Sequence, residues 1–377
     1  MTIKKILHVE IDDNRIYGLD ILRALAILFV VLGHGKYILP KSLSKITGYF
    51  VFDGVSIFFV LSGFLIGGIL IKILNKQQIN VNTLFNFWIR RWFRTLPNYF
   101  LILVTLLFLN FFFTDGFDIL NYKRYFIFSQ NLLSVHPNFF PEAWSLSVEE
   151  WFYLLIPIIL IILIKVFHLS IDKSILLTAL GIIVLITLFR YYRYSTLSID
   201  KLTEWDSLLR KQVVTRLDSI MYGIVGSYIY YKFKTFWKKN KIHFLLTGIV
   251  LFICIKFNLF GFPKLGLYHC VFYFSAISLA TLLLLPFLSD LKNGKGFLFK
   301  AITYISLISY SMYLINFILV QKWILGVINW ERIESFDENL FILLRYASYW
   351  IITIVLSLLI YKFFEIPMMN LRNRFKF

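Results

Sequence analysis

From Gly18 to Pro40 the chain reads GLDILRALAILFVVLGHGKYILP. An apolar stretch of roughly twenty residues is long enough to cross a bilayer as a helix, yet this one carries Arg23 near one end and His34 near the other. Eleven residues of α-helix turn through about 1100°, some 20° past three full turns, and rise about 16 Å. Arg23 and His34 therefore share one helix face at two different depths. Ionisable residues inside a membrane are costly and mark functional sites by default, so two on one stripe describe a path that a single molecule can occupy along its length. Against this stands a plainer account, in which Arg23 snorkels to the headgroups and His34 is a hydrogen-bonded packing residue.

The rest of the chain asks for the same solvent. Its 377 residues are 59% hydrophobic and only 16% charged, where soluble domains carry about 25% charge. This is the composition of an all-α, polytopic membrane protein. Cys254 and Cys270 lie in apolar surroundings with no metal-site or disulfide spacing, and read as packing residues. No metal site is expected. The first apolar stretch lacks a small-residue cleavage site and exceeds a signal-peptide core in length, so it is expected to stay as the first transmembrane helix.

Hydropathy predicts about ten spans, near 18–39, 50–71, 95–113, 144–164, 174–190, 214–231, 242–260, 265–289, 301–321 and 341–363, within a single membrane domain over 1–377. An even count puts both termini on one side. The connections on that side hold most of the lysine and arginine, among them Arg90, Arg91 and Arg94, the run Lys232 to Lys241, and Arg372 and Arg374 in the tail. The opposite connections hold most of the acidic residues. The positive-inside rule then makes both termini cytoplasmic. The net charge of +18 reflects topology and contact with membrane lipids, and no nucleic-acid partner is expected.

Five further stretches carry candidate chemistry. TLFNFWIRRWFRTLP interleaves Trp88, Trp92 and Phe93 with Arg90, Arg91 and Arg94, a pattern suited to the interface plane, with Pro97 closing or kinking the helix. Arg91 and Arg94 lie one turn apart and can converge on one anion, either a lipid headgroup or a phosphate-bearing cytoplasmic ligand. In FDGVSIFFVLSGFLIGG the small residues Gly54, Gly63, Gly67 and Gly68 form a smooth surface. Such a surface lets helices approach closely or leaves room for a thin ligand arm. Ser62 there has no adjacent histidine to support a covalent role. In PEAWSLSVEEWFYLLIP, Glu142 and Glu150 fit helix N-terminal charge, whereas Glu149 sits deeper. It shares a face with Tyr153 and can orient a histidine or engage a sugar hydroxyl. TRLDSIMYG adds Arg216 and Asp218, as an ion pair or acceptor contact, and Glu365 in YKFFEIP can pair with a nearby arginine.

Taken in order, these strings resemble the acyltransferase 3 family of multispan bacterial enzymes that O-acylate extracytoplasmic sugars. The matching parts are Arg23 and His34 with ten residues between them, GVSIFFVLSGF, RWFRTLP, WSLSVEEWFY, RLDSIMYG, SYSMYL and FEIP, and they span nearly the whole chain. Two positions depart from the family's pattern. Asn316 stands where a histidine is common after the SYxxYL string, and Trp151 where glutamine is frequent. Neither is expected to touch the Arg23/His34 pair. The chain ends a dozen residues after its last span, so it is expected to act without a fused hydrolase-like domain or with a separate extracytoplasmic partner.

The resemblance implies an acyl-CoA donor, acetyl-CoA first among the candidates, and a carbohydrate or lipid-linked glycan acceptor on the outer side. It implies no permanently bound cofactor and places the protein in the bacterial inner (cytoplasmic) membrane. On this reading His34 is the general base and Glu149 the second catalytic candidate. Arg23, Arg91 and Arg94 bind the donor, and Tyr153, Arg216 and Asp218 serve the acceptor side or the structure. The rival reading is a transporter or flippase of a sugar or small anion, whose charged residues would line a permeation path. Such folds tend to show inverted repeats, and no half-to-half repetition is evident here.

Overall fold

The computed structural model describes residues 15–76, 81–330 and 337–372. Among these every regular element is helical. The principal helices are α1 (Tyr17–Gly35), α2 (Lys41–Phe50), α3 (Gly54–Lys76), α4 (Val81–Phe113), α5 (Ala143–Lys165), α6 (Ile171–Thr196), α7 (Leu217–Lys232), α8 (Lys234–Lys239) and α9 (Lys241–Lys256). They are followed by α10 (Tyr268–Asp290), α11 (Gly296–Val327) and α12 (Glu338–Leu371). Eight helical stretches among the described residues are long and apolar enough to cross a membrane. These contain α1, α3 to α6 and α10 to α12. The other two predicted spans correspond to α7 and α9, each 16 residues long. That is about 24 Å at 1.5 Å per residue, shorter than the hydrocarbon core of roughly 30 Å. The assignment of both termini to the cytoplasm rests on segments that extend into residues 1–14 and 373–377, outside the described residues.

The belt around the bundle is apolar and exposed. Phe108, Phe111 and Phe112 on α4, Leu185 and Leu188 on α6, and Ile351 and Val355 on α12 all face outward. In water this would be a liability; in lipid it is the favoured surface. The polar residues are turned inward instead. Asp20, Glu142, Glu150, Arg190, Arg216, Asp218 and Glu365 are all buried.

The glycine face of α3 is filled by a neighbouring helix. A Cβ on Gly63 would lie 1.9 Å from the carbonyl oxygen of Ile220, and one on Gly223 would lie 2.1 Å from that of Val60. Gly67 sits as closely on Ser227. Small residues let α3 and α7 meet backbone to backbone, so this surface is not available to a ligand arm. Gly63→Ala should therefore destabilise the protein by more than about 2 kcal/mol, because the obstacle is backbone and cannot swing aside. Thermal unfolding of purified protein reads this, and a melting temperature equal to wild type would show that the two helices can part at no cost.

Two further expectations change. The RRWFR segment is not a separate interfacial helix: α4 runs unbroken for 33 residues through Pro97. At about 50 Å it exceeds the membrane core, which lets its first turns carry Arg90, Arg91 and Arg94 while the later turns span. Glu142, meanwhile, makes no side-chain cap at its own helix. Its Oε1 accepts from the backbone N–H groups of Phe317 (3.2 Å) and Ile318 (2.8 Å), where α11 widens into a π-helical stretch over Asn316–Ile324. Such widenings displace the hydrogen-bond ladder and are frequent at functional sites.

Candidate active site

A cavity of about 110 Å³ opens between α1, α3, α4, α5 and α11. Arg23, Arg91 and Arg94 contribute to its wall, as do Ser62, Glu149 and Tyr153. Of the predicted site residues, these five (the three arginines, Glu149 and Tyr153) are brought together, with Ser62 beside them. Further along, the lining passes through Phe59, Ser145 and Tyr313. The face of α3 that meets the cavity, with Val55, Phe59, Ser62 and Ile66, differs from the glycine face packed on α7.

The arginine end is held by a residue the sequence reading missed. Asp20, one turn before Arg23 and buried, lies 3.6 Å from the Arg23 guanidinium and also pairs with Arg15. Ser306 donates to Asp20 at 2.7 Å and accepts from Arg15 at 3.1 Å. Two guanidiniums thus share one carboxylate, and Arg91 and Arg94 add further positive charge. The signal was available, since an acid at i−3 from an intramembrane arginine lies on the same face.

Glu149 is engaged along the cavity wall. Ser62 donates to its Oε1 at 3.0 Å and Tyr153 to its Oε2 at 3.2 Å. The histidine-orienting contact the sequence offered for Glu149 is made by another residue. His34 Nδ1 lies 2.6 Å from Asn316 Oδ1, and the imidazole packs at a tilt against Phe317 with ring centroids 4.8 Å apart. Asn316 therefore does touch the first-helix pair, contrary to expectation, because the π-helical stretch of α11 turns it toward α1. His34 itself does not line the cavity. It lies beyond the Tyr313 end, with Asn316 three residues after Tyr313 on the same helix.

Arg216 and Asp218 are both fully buried but do not pair with each other. Asp218 takes Arg190 of α6 at 2.7 Å, a partner the sequence reading passed over inside a span. Arg216 donates to Ser56 at 2.6 Å, and its guanidinium stacks 3.9 Å from the centre of the Phe274 ring. Ser56 in turn donates to Asp53 at 2.7 Å, which spreads the Arg216 charge toward a carboxylate. Glu365 is held by Asn98 (2.7 Å) and Ser311 (2.9 Å) rather than by an arginine. Glu150 accepts from Thr95 at 2.8 Å, and Trp151 donates to the Phe128 carbonyl at 3.0 Å. These contacts tie helices together, and among their residues Thr95 also lines the cavity.

On the connection between α6 and α7, Asp206 pairs with both Arg210 and Lys211. Burial opposes its charge, but the two cations outweigh that and hold the carboxyl below its ordinary range. Arg210 also stacks 5.4 Å from the Trp144 ring, which fastens this connection to the start of α5.

A family model described as an acyltransferase domain matches residues 16–362. The chain belongs to the acyltransferase 3 family. That match takes in the cavity, the Arg23/His34 pair and α11 with Asn316. Among similar proteins, the O-acetyltransferase OatA of Staphylococcus aureus is 29% identical over 326 residues, covering 80% of this chain and 50% of the relative. The peptidoglycan O-acetyltransferase OatA of Listeria monocytogenes is 34% identical over 164 residues, covering 39% of this chain and 24% of the relative. The chain thus spans about half the length of these relatives or less. No solved structure matches it.

Proposed function

We propose that this multi-pass membrane protein is an O-acyltransferase that moves an acyl group, acetyl first among the candidates, from cytoplasmic acyl-CoA to a hydroxyl of a cell-envelope carbohydrate or its lipid-linked precursor. The relatives' names as O-acetyltransferases support the reaction class. The observation that carries the reading is the cavity itself, lined by three arginines and also by Tyr313, three residues before the Asn316 that holds His34. The proposed location is the bacterial cytoplasmic membrane, with both termini inside and the Arg23 end facing the cytoplasm. A separate extracytoplasmic partner is compatible with this arrangement.

The donor's phosphates meet Arg23, Arg91 and Arg94, since guanidinium groups form charge-assisted, often bidentate hydrogen bonds with phosphate. The pantetheine arm runs along the wall bearing Ser62, Glu149 and Tyr153, whose polar atoms face its amides. The rise of about 16 Å from Arg23 to His34 places the thioester near the imidazole. His34 takes the proton of the acceptor hydroxyl as its oxygen attacks the thioester carbonyl carbon. Collapse of the tetrahedral intermediate breaks the carbon–sulfur bond, and the imidazolium returns the proton to the departing thiolate. Nothing is oxidised or reduced, so the donor serves as a substrate and no resident cofactor is called for.

The test is covalent transfer. Membranes containing the protein, given acetyl-CoA labelled in the acetyl group, should yield labelled polysaccharide. Movement of an unmodified solute without any acylated product would point to a transporter instead. Within that assay, replacing both Arg91 and Arg94 by alanine should raise KM for acetyl-CoA at least about tenfold, because a hydrogen bond to a charged group contributes about 1.5–3 kcal/mol. Turnover at saturating donor should change far less. An unchanged KM would remove these arginines from the donor site.

A further inference from the structure

We propose that Asn316 is a positioning residue that fixes the tautomer of His34, so that Nδ1 carries the hydrogen and Nε2 is the base; this rests on the acyltransferase reading above. The assignment follows from counting hydrogens. An amide group has two donor hydrogens on nitrogen and none on oxygen. Asn316 Nδ2 donates to the backbone carbonyls of Met312 at 2.8 Å and Tyr313 at 2.9 Å, which uses both. The side chain therefore cannot flip without leaving two buried carbonyls facing an oxygen. Its Oδ1 is thereby turned toward His34 Nδ1 at 2.6 Å. An oxygen without a hydrogen, at that distance, requires the hydrogen on the imidazole nitrogen.

The neighbours hold the amide in place from every side. Tyr349 of α12, fully buried, donates to the Val31 carbonyl at 3.0 Å and reaches Asn316 Oδ1 at 3.3 Å. The first contact holds α12 against α1 and the second sets the phenol beside the amide on α11, its single hydrogen serving one of the two acceptors at a time. Glu142 binds the next two backbone N–H groups of α11 and so stabilises the widened turn that aims Asn316 at α1. Phe317, the residue after Asn316, supplies the ring under the imidazole. In this arrangement the orientation of a base is set by a neutral group that neither gains nor loses a proton between pH 5 and 8. A histidine at the same position, as is common in the family's pattern, would reach the same end differently. One ring nitrogen would donate to an α11 carbonyl and the other would accept from His34.

The experiment combines a structural readout with a kinetic one. The full-length protein, labelled with nitrogen-15 histidine and reconstituted in lipid bilayers, is studied by solid-state NMR, with His34→Gln used to assign the His34 signals. Neutral His34 should show a protonated Nδ1 and an unprotonated Nε2; the reverse tautomer would overturn the proposal. In the acetyl-transfer assay, Asn316→Leu should lower kcat by about 10²-fold, the lower range of what a positioned base contributes, with KM for acetyl-CoA within twofold. Asn316→His should restore kcat to within tenfold of wild type. A folded Asn316→Leu protein with wild-type kcat would also overturn the assignment. Where Asn316→Leu fails to fold, the tautomer of the wild-type protein decides. If the wild-type protein transfers no acetyl group, the functional reading fails, while the tautomer is still read directly from the spectrum.

Discussion

His34→Ala is expected to lower acetyl transfer from acetyl-CoA by about 10²–10⁴-fold, the range over which a positioned acid or base contributes to catalysis. Binding of the donor should survive. The groups assigned to the phosphates lie about 16 Å away along α1, and the imidazole does not line the cavity. The fold should survive as well. His34 is half-buried, held by one hydrogen bond to Asn316 and one tilted ring contact with Phe317. The measurement is labelled product formed by purified protein in bilayers, together with donor binding by equilibrium dialysis. Full transfer by a folded His34→Ala protein would end the role of this residue. Loss of donor binding in parallel with turnover would mean that His34 holds the donor rather than acting as the base.

Much of this arrangement is written in short-range patterns. The eleven-residue spacing sets Arg23 and His34 on one face because helix geometry leaves no alternative, and Glu149 and Tyr153 share a face for the same reason. Apolar length located a helix at each predicted span, although α4 begins at Val81, well before the span predicted at 95–113, and α7 and α9 are shorter than a bilayer crossing needs. What sequence could not supply was the pairing across helices. Nothing local to RLDSIMYG distinguishes Arg216 from Arg190 as the partner of Asp218, since the choice is made by how α6 packs on α7. The glycines of α3 announced a close approach, but not whether helix or ligand would fill it. Asn316 was hardest to place. It looked like a departure from the family's pattern, and its contact with His34 depends on a π-helical turn stabilised by Glu142 from another helix. Pattern reading assumes a regular helical period and misses a residue displaced by such a turn.

The largest structural loss should come from breaking the Arg190–Asp218 pair. Both side chains are fully buried and 2.7 Å apart. Arg190 also donates to the Thr215 carbonyl at 3.1 Å and to Ser275 at 2.9 Å, while Ser275 donates to Asp218 at 3.2 Å. One guanidinium thus joins α6, α7 and α10 and fixes the start of α7, where Arg216 stacks on Phe274. Removing one partner leaves an uncompensated buried charge, at a cost of about 3–5 kcal/mol. Asp218→Asn and Arg190→Met should each show it as a marked fall in melting temperature in lipid or detergent. The double variant Arg190→Met with Asp218→Asn should recover much of the loss, because replacing both charges removes the unpaired one. That recovery separates an ion pair from two residues that merely fill space: a double variant as unstable as the sum of the singles would show that the charges do not act on each other. Acetyl transfer by the double variant should then return with stability, since neither residue lines the cavity or contacts His34.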